Sequence, residues 1–146
     1  CWRLQAMGYH VWVEPRSIVF HKNAVSLPMH SHRKHYLNHR NSLLMLFSNY
    51  SLLNAFYIGT IRIILELGAL IYAIVKFDIN HASGIVRSLL WLLLHPFTIM
   101  VRRKNFKKLR ILKDSVILKK LFKGPIVFLY FLKRKKTYLE IVSKAD

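Results

Sequence analysis

The longest apolar stretch of the chain decides its fold class, and it reads LLNAFYIGTIRIILELGALIYAIV from Leu52 to Val75. Its length matches the roughly 20 residues that an α-helix needs to cross a hydrocarbon core. Arg62 and Glu66 interrupt the stretch one helical turn apart, so they share a helix face and can pair. Because a charge at mid-span costs roughly 2.5–3.5 kcal/mol, we expect this pair to face a second helix or another domain.

The residues after this stretch predict a helical hairpin. A polar turn at residues 76–84 leads into a second apolar stretch at residues 85–101, which is close to the lower length limit for a span. His95 and Pro96 lie inside it, and the proline predicts a kink or a division of the helix. We expect residues 49–101 to form an apolar hairpin that crosses a membrane or lies half-embedded in it, with His95 buried and hydrogen-bonded.

The composition is both strongly basic and strongly apolar. The chain carries 24 Lys and Arg against 6 Asp and Glu, for a formal net charge of +18, while 53% of its residues are hydrophobic. Such a chain is expected to contact either anionic lipid or nucleic acid. Nucleic-acid modules rarely contain long uninterrupted apolar segments, so we expect an anionic membrane as the partner and no nucleic acid.

The C-terminal region, residues 102–146, combines basic clusters with large apolar side chains. Over residues 102–123 the apolar residues recur at helical spacing, which predicts an amphipathic helix on a membrane surface. The residues expected to face lipid headgroups are Arg102, Arg103, Lys104, Lys107, Lys108 and Arg110. Residues 22–40 are also basic, so the positive-inside rule places both flanks of the hairpin on the cytoplasmic side.

The first residues of the chain predict a short α/β segment. Gly8 can adopt the left-handed conformation that closes a helix, and apolar and polar residues then alternate from Tyr9 to Glu14, as in a strand with two unlike faces. Pro15 breaks that strand, and a second strand is predicted to end at His21. The expected fold is therefore mostly α, with a short α/β remnant followed by a helical, membrane-associated region.

Two motifs in this region resemble the family-2 glycosyltransferases, whose catalytic domain has the GT-A fold. The segment that closes that domain is matched in order and spacing by Cys1, Trp2, Arg3, Gly8, Tyr9, Pro15, Ser17, Val19 and His21. A later signature of the rhamnosyltransferase-like bacterial branch is matched by Tyr36, Arg40 and Asn41. The resemblance implies that residues 1–48 form the C-terminal end of the GT-A catalytic domain, with a basic lid-like loop.

The resemblance also implies an active site shared with a preceding part of the enzyme. His21 would complete a site for a divalent metal, Mg²⁺ or Mn²⁺, whose Asp-x-Asp motif lies upstream, although a histidine at a strand end can also be purely structural. Arg3 would touch the donor diphosphate or support the motif, unless it forms a structural salt bridge. Trp2 would form a wall of the acceptor site or part of the core.

Four further residues are implied on the donor side of this site. They are Lys22, Tyr36, Arg40 and Asn41. In one interpretation Lys22 and Arg40 close over the diphosphate as a lid. In the other they belong to a basic loop beside the membrane.

The activity implied by the resemblance is inverting transfer of a sugar from a nucleotide-sugar donor to a lipid-linked or polysaccharide acceptor. Such a transfer would be a step of surface-glycan synthesis at the cytoplasmic face of a bacterial inner membrane. The aspartate that acts as general base, and the Asp-x-Asp motif, are expected in the preceding part of a longer enzyme, so this segment alone should be inactive. The alternative is a non-enzymatic, basic membrane-binding protein, for which the pattern at residues 1–21 would be a coincidence.

Histidines in the basic loop raise the separate possibility of a zinc site. They are His30, His32, His35 and His39. The last two lie four residues apart, a spacing at which two imidazoles on one helix face can share an ion. Because no cysteine or carboxylate lies near them in the sequence, a basic loop that faces solvent or lipid headgroups is the favoured interpretation.

Overall fold

The computed structural model of the chain describes residues 1–20, 27–122, 126–137 and 140–141. These residues form helices and no strand, which confirms the mostly α fold. The helices are α1 (Trp2–Ala6), α2 (His32–Asn49), α3 (Leu52–Val75), α4 (Ile79–Leu94), α5 (Pro96–Leu109), α6 (Asp114–Leu118) and α7 (Ile126–Phe131). The chain divides into two compact units, Cys1–Asp114 and Ser115–Asp146.

Helix α2 is the centre of the first unit. It packs against α3, α4 and α5, and α3 also packs against α4. The side chain of Ser31 caps the N-terminus of α2, where it accepts a hydrogen bond from the backbone N–H of Lys34 at 3.4 Å. The buried apolar side chains of this unit include Leu43, Leu44, Leu46, Ile85 and Phe106.

The contacts made along α2 give the directions of its neighbours. Contacts with α4 advance in the same direction on both helices, through the pairs His32–Ser83 and Arg40–Trp91. Contacts with α3 advance in opposite directions, through the pairs His39–Glu66 and Phe47–Gly59. Helix α2 is therefore parallel to α4 and antiparallel to α3, so its N-terminal half lies beside the turn between α3 and α4.

Helix α3 has an inverted distribution of side chains. The residues that it buries are small or charged, namely Ala55, Gly59, Glu66 and Ala73. Its large apolar side chains face outward, and those more than half exposed include Leu53, Phe56, Tyr57, Ile64 and Ile71. A helix at the surface of a water-soluble bundle shows the opposite arrangement, whereas small residues at the packing face are typical of helices in lipid.

Length and composition single out the same helix. Within the described residues, α3 is long and apolar enough to cross a membrane. Helices α4 and α5 pass the same test only together, and they are bent by 71° where they meet. The bend lies at His95 and Pro96, which confirms the division predicted there. His95 is hydrogen-bonded as expected, its Nδ1 lying 2.9 Å from the Trp91 carbonyl oxygen, but it is exposed and not buried.

The turn before α4 is shorter than predicted. Helix α4 begins at Ile79, within the expected polar turn at residues 76–84. The cause is Asp78, whose side chain accepts a hydrogen bond from the backbone N–H of His81 at 3.0 Å and so caps the helix. His81 is thereby placed in the first turn of α4.

The start of the chain agrees with part of the predicted pattern. Helix α1 is followed by Gly8 at φ +86°, the left-handed conformation expected of a residue that closes a helix. A turn follows Glu14, whose backbone carbonyl accepts from Ser17 N–H at 3.1 Å. Over the described residues 9–20 neither predicted strand forms, and all of these residues are exposed. The predicted strand end at His21 lies outside the described residues. A strand needs a neighbouring strand for its backbone groups, and the described residues provide none, so the α/β remnant is not confirmed.

The amphipathic helix predicted over residues 102–123 is interrupted. Helix α5 ends at Leu109, and the backbone amides of Ile111 and Leu112 donate to the carbonyl of Ala6 at 2.8 and 2.9 Å. These hydrogen bonds hold the segment against the end of α1. A tertiary contact thus overrides the helical spacing of the sequence.

The second unit is short and mostly exposed in its described part. Ile117 is its buried apolar side chain, at 1% exposure, and α7 presents Phe128, Tyr130 and Phe131. The ammonium group of Lys133 lies 6.0 Å from the centroid of the Phe128 ring. Aromatic and basic groups thus occur side by side in this unit.

Candidate functional site

The motif residues at the start of the chain attach α1 to the helices of the first unit. The ring of Trp2 stacks on Tyr50 with a centroid distance of 4.1 Å, and its Nε1 is buried with no hydrogen-bond partner among the described residues. The guanidinium of Arg3 lies 4.9 Å from the centroid of the Phe106 ring. The described residues offer Arg3 no salt bridge. His21 and Lys22 lie outside the described residues, so the metal site at His21 stays a prediction.

The structure brings the later signature residues together on one side of α2. The guanidinium of Arg40 donates from Nε and Nη2 to the side-chain oxygen of Asn41, at 3.2 and 2.9 Å. The same group lies 5.2 Å from the centroid of the Tyr36 ring and 5.3 Å from that of Trp91 in α4. Arg87 of α4 lies over the Tyr36 ring as well, at 4.7 Å.

This group has the composition of an anion-binding surface. Its members are Tyr36, Arg40, Asn41, Arg87 and Trp91, which we call the arginine cluster. Within the part of the chain that the structure describes, neither guanidinium forms an ion pair with a carboxylate. Aromatic rings hold both cations by cation–π contact. Arg40 also donates to Asn41 and to the Tyr36 hydroxyl, and Arg87 Nη1 lies 3.4 Å from His32 Nε2, so the remaining N–H groups are the ones available to a phosphate. The sequence motif located three of the five members, but not the two on α4.

The six residues predicted to face lipid headgroups fall into two groups. Arg102, Lys104, Lys107 and Lys108 are exposed. Arg103 and Arg110 are partly buried and donate to the last carbonyls of α2, Arg103 to Phe47 and Arg110 to Asn49 at 3.1 Å. These two arginines therefore satisfy the C-terminal end of a helix.

Asp114 lies beside these arginines and contacts Arg110, Ser51 and Asn54. We call these four residues the Asp114 corner. One carboxylate oxygen pairs with Arg110, and the other accepts from the backbone N–H of Ser51 at 2.7 Å and from the Asn54 amide at 2.8 Å. Burial raises the pKa of Asp114, but the hydrogen bonds from Arg110, Asn54 and Ser51 outweigh it and hold this pKa below its ordinary value. The corner joins the end of α2 to the start of α3.

A second group of polar residues lies at the opposite end of α2. His35 and His39 of α2 converge with His81 of α4, and one nitrogen from each ring lies within 4.8 Å of the others. We call these three residues the histidine cluster. The ring centroids of His35 and His81 are 4.4 Å apart, and His39 Nε2 lies 3.1 Å from His81 Nε2. Burial lowers the pKa of His35, and the neighbouring His81 lowers it further.

Glu66 of α3 stands behind the histidine cluster. It is 1% exposed, and its Oε2 lies 2.5 Å from His39 Nδ1 while its Oε1 accepts from Arg62 at 2.5 Å. A carboxylate only accepts hydrogen bonds, so Nδ1 of His39 carries the proton and Nε2 faces the cluster with its lone pair. The predicted pairing of Arg62 with Glu66, turned toward a second helix, is confirmed.

Sequence reasoning found only part of this cluster. It placed His35 and His39 on one helix face, but expected solvent or headgroups around them. It assigned no role to His81, which lies in the segment expected to be a turn, and did not connect Glu66 with the histidines. The available signal was the inward position of Glu66 on an apolar helix, since a buried carboxylate requires a partner.

No protein family, no curated protein and no solved structure matches this chain.

Proposed function

We propose that this chain is the membrane-associated C-terminal part of an inverting family-2 glycosyltransferase. The enzyme transfers a sugar from a nucleotide-sugar donor to a lipid-linked or polysaccharide acceptor in surface-glycan synthesis. The motif pattern of residues 1–21 supports the family. One structural observation carries the proposal: the motif-bearing α1 and the apolar helices belong to the same compact unit.

The contacts of α1 explain how such a connection works. Trp2 stacks on Tyr50 at the end of α2, and the carbonyl of Ala6 accepts two backbone hydrogen bonds from the segment after α5. A catalytic domain that ends in this segment would be held at a fixed height above the helices. Its acceptor site, with Trp2 as one wall, would then face the membrane in which a lipid-linked acceptor resides.

The arginine cluster is the donor-side surface in this proposal. Two guanidinium groups without a carboxylate partner in the described residues suit a diphosphate, because phosphate oxygens accept paired N–H donors. Arg40 is oriented by Asn41 and by two aromatic rings, so few conformations are lost on binding. Arg3 and Lys22 supply further positive charge along the same motif region.

The divalent ion of the family, Mg²⁺ or Mn²⁺, belongs to His21 and to carboxylates of the preceding domain. When bound, such an ion stabilises charge on the departing diphosphate as a Lewis acid. The described residues contribute cations and hydrogen-bond donors to the same task. The general base is an aspartate of the preceding domain.

The helical region binds the cytoplasmic face of the membrane. Support comes from the inverted side chains of α3, because a helix that exposes large apolar residues and buries a carboxylate is stable where its surroundings are apolar. The exposed basic residues of α5 then meet anionic headgroups. Helix α3 lies in the plane of the membrane in this proposal.

Two experiments test the enzymatic part of the proposal. The coding sequence upstream of the Cys1 codon should encode an acidic pair directly before Cys1, and an Asp-x-Asp about 100 residues earlier. An unrelated or interrupted frame would remove the enzyme from the account. In the complete enzyme, His21→Ala should reduce metal-dependent turnover and leave membrane attachment intact.

The arginine cluster gives a sharper test in the same enzyme. Arg40→Lys keeps the charge but loses the planar fork, and should lower kcat/KM for the nucleotide-sugar about 10-fold. Arg33→Lys on the exposed side of α2 is the matched control and should leave kcat/KM unchanged. Equal kcat/KM values for both variants would argue against a donor-side role.

The second candidate is a non-enzymatic basic membrane-binding protein. It is favoured by the same exposed face of α3 and basic residues of α5, and it leaves the motif residues without a role. Flotation of the chain with anionic vesicles in moderate salt is expected in both cases, since apolar insertion survives salt. Vesicle binding that disappears in salt would instead indicate attachment through charge alone, without apolar insertion.

A further inference from the structure

The histidine cluster joins two helices at a place where the backbone approach is unusually close. Gly84 is buried in α4, and a Cβ atom there would lie 2.7 Å from His35 Cβ and 2.9 Å from the backbone nitrogen of Tyr36. Only glycine allows this distance without displacement of a helix. The close approach brings His35 within reach of His81, one turn earlier on α4.

The imidazole of His39 has the hydrogen bonding of a metal-binding histidine, with one ring nitrogen on a carboxylate and the other turned toward the cluster. Its Nδ1–H donates to Glu66, which leaves the Nε2 lone pair directed at His81. Carboxylates that accept from the far nitrogen of a metal-bound histidine fix its tautomer and raise its basicity. Arg62 holds the other oxygen of Glu66, so the carboxylate is itself fixed in place.

His35 contributes a second, independent observation. Its Nε2 is buried and has no hydrogen-bond partner among the described residues. A buried polar atom without a partner destabilises the folded protein. An ion between the three rings would accept the lone pair of this nitrogen together with those of His39 and His81.

We propose that His35, His39 and His81 bind one divalent transition-metal ion, with Zn²⁺ as the ion to test. Two imidazole nitrogens on one tetrahedral zinc lie about 3.4 Å apart. The three nitrogens lie within 4.8 Å of one another, and the stacked rings of His35 and His81 must turn toward a common point to bind the ion. Imidazole ligands suit Zn²⁺, Co²⁺, Ni²⁺ and Cu²⁺, whereas Mg²⁺ and Mn²⁺ prefer oxygen ligands. A water molecule takes the fourth position.

This site is separate from the ion expected at His21 and does not depend on the proposed enzyme. Its ligands come from α2 and α4, and Glu66 adds α3. The ion therefore joins the three helices at the end of the unit opposite to the Asp114 corner. Bound metal would stabilise the folded unit in proportion to its affinity.

Zinc titration of the full chain in lipid nanodiscs tests the proposal. The background variant is Cys1→Ser, which removes the single thiol. Competition with a chromophoric chelator should give one tight Zn²⁺ per chain. Co²⁺ in its place should give the visible bands of a tetrahedral site with nitrogen and oxygen ligands and no thiolate charge-transfer band.

The variants separate this site from the other histidines of the chain. Glu66→Gln keeps the shape of the side chain and should weaken Zn²⁺ binding about 10- to 100-fold. His39→Ala and His81→Ala should weaken it further, and His10→Ala, an exposed histidine of residues 9–20, should not change it. Circular dichroism establishes that each variant is folded.

The proposal is overturned if the chain binds no stoichiometric Zn²⁺, or if Glu66→Gln and His10→Ala bind it equally well. If the alanine variants do not fold, Glu66→Gln and the Co²⁺ spectrum decide the question without them. Because binding is measured without turnover, its failure leaves the glycosyltransferase proposal unaffected, and the reverse also holds.

Discussion

At the scale of single residues, glycines set how closely the helices of the first unit approach. Gly84 lies against the backbone of α2, whereas a Cβ at Gly68 on α3 would meet no packing neighbour within 4 Å. The same substitution at these two positions therefore has opposite expected effects, since only one of them lies in a helix contact.

Gly84→Ala should destabilise the unit by about 1–3 kcal/mol, because the added methyl group meets backbone that cannot rotate away. Gly68→Ala should instead stabilise it by about 0.5–1 kcal/mol through the lower backbone entropy of the unfolded chain. Thermal unfolding in nanodiscs measures both. Equal shifts in the two variants would contradict the observed packing of α2 on α4.

Residue types with one dominant physical role were predictable from the sequence. Gly8 was expected to close a helix and does so, and Pro96 was expected to divide one. His81 was not identified, because its role depends on the packing of α4 against α2. Its contact partner His39 lies more than forty residues away in the sequence. Spacing within one helix reveals its faces, but not the residues of another helix that meet them.

At the scale of elements, the corner between α2 and α3 depends on ionic and hydrogen-bonding groups. The carboxylate of Asp114 receives Arg110, Asn54 and the backbone N–H of Ser51, and it is 3% exposed. This corner lies between two helices joined by a connection of two residues. Loss of these contacts should destabilise the start of α3 more than it destabilises any other helix.

Asp114→Asn should lower the free energy of unfolding by about 2 kcal/mol at neutral pH, as hydrogen bonds to a charged group are lost. Urea unfolding monitored by circular dichroism provides the measurement. The control is Glu14→Gln, an exposed carboxylate whose loss should change stability by less than about 0.5 kcal/mol. An Asp114→Asn effect no larger than that of the control would contradict the role of the corner.

The same carboxylate predicts a dependence on acid. Because the folded pKa of Asp114 lies below its ordinary value of 3.8, its stabilisation is complete above that value. It is lost as the pH falls through the folded pKa, since the folded form then gains a proton that the unfolded form already holds. The free energy of unfolding, measured between about pH 5 and about pH 2, should fall less with acid in Asp114→Asn than in the natural chain.

Elements with strong local signals also matched their predictions. The bounds of α3 coincide with the apolar stretch, because nothing inside that stretch competes with the helix. The helix predicted over residues 102–123 did not, since the amides of Ile111 and Leu112 bond to Ala6. A contact with a distant part of the chain decided its end, and the periodicity of residues 102–123 carries no information about that contact.

At the scale of the whole first unit, the distribution of charge favours one orientation at the membrane that we propose as its partner. Basic residues lie at both ends of α2. Arg33 and Lys34 are at its start. The basic residues of α5 lie near its end, where Arg103 donates to the carbonyl of Phe47, and they are Lys104, Lys107 and Lys108. Helix α2 has 18 residues and is about 27 Å long. If the bundle spanned the membrane, these two groups would lie on opposite faces.

An in-plane orientation places all of these charges at one leaflet. Helix α3 then embeds its exposed apolar side, while α2, with Arg33, Asn38 and Asn41 on its exposed side, stays in water. This arrangement agrees with the expectation that both basic flanks lie on the cytoplasmic side, and it needs no polar helix in lipid. The bundle is thus a surface-bound platform in our account.

The depth of α3 in the bilayer tests this account most directly. Nitroxide labels at Tyr57→Cys, Ile64→Cys and Ile71→Cys, in the Cys1→Ser background, lie on one exposed face at intervals of two turns. Electron paramagnetic resonance with oxygen and a water-soluble nickel complex as relaxation agents reports the depth of each label. Asn38→Cys on α2 serves as the control in water.

We predict equal depths within the hydrocarbon for the three labels on α3 and a water-exposed label on α2. The result that would contradict the account is a spanning profile, with the label at Ile64 deepest and its two neighbours about 10 Å closer to opposite surfaces. Three labels exposed to water would remove the membrane from the account altogether.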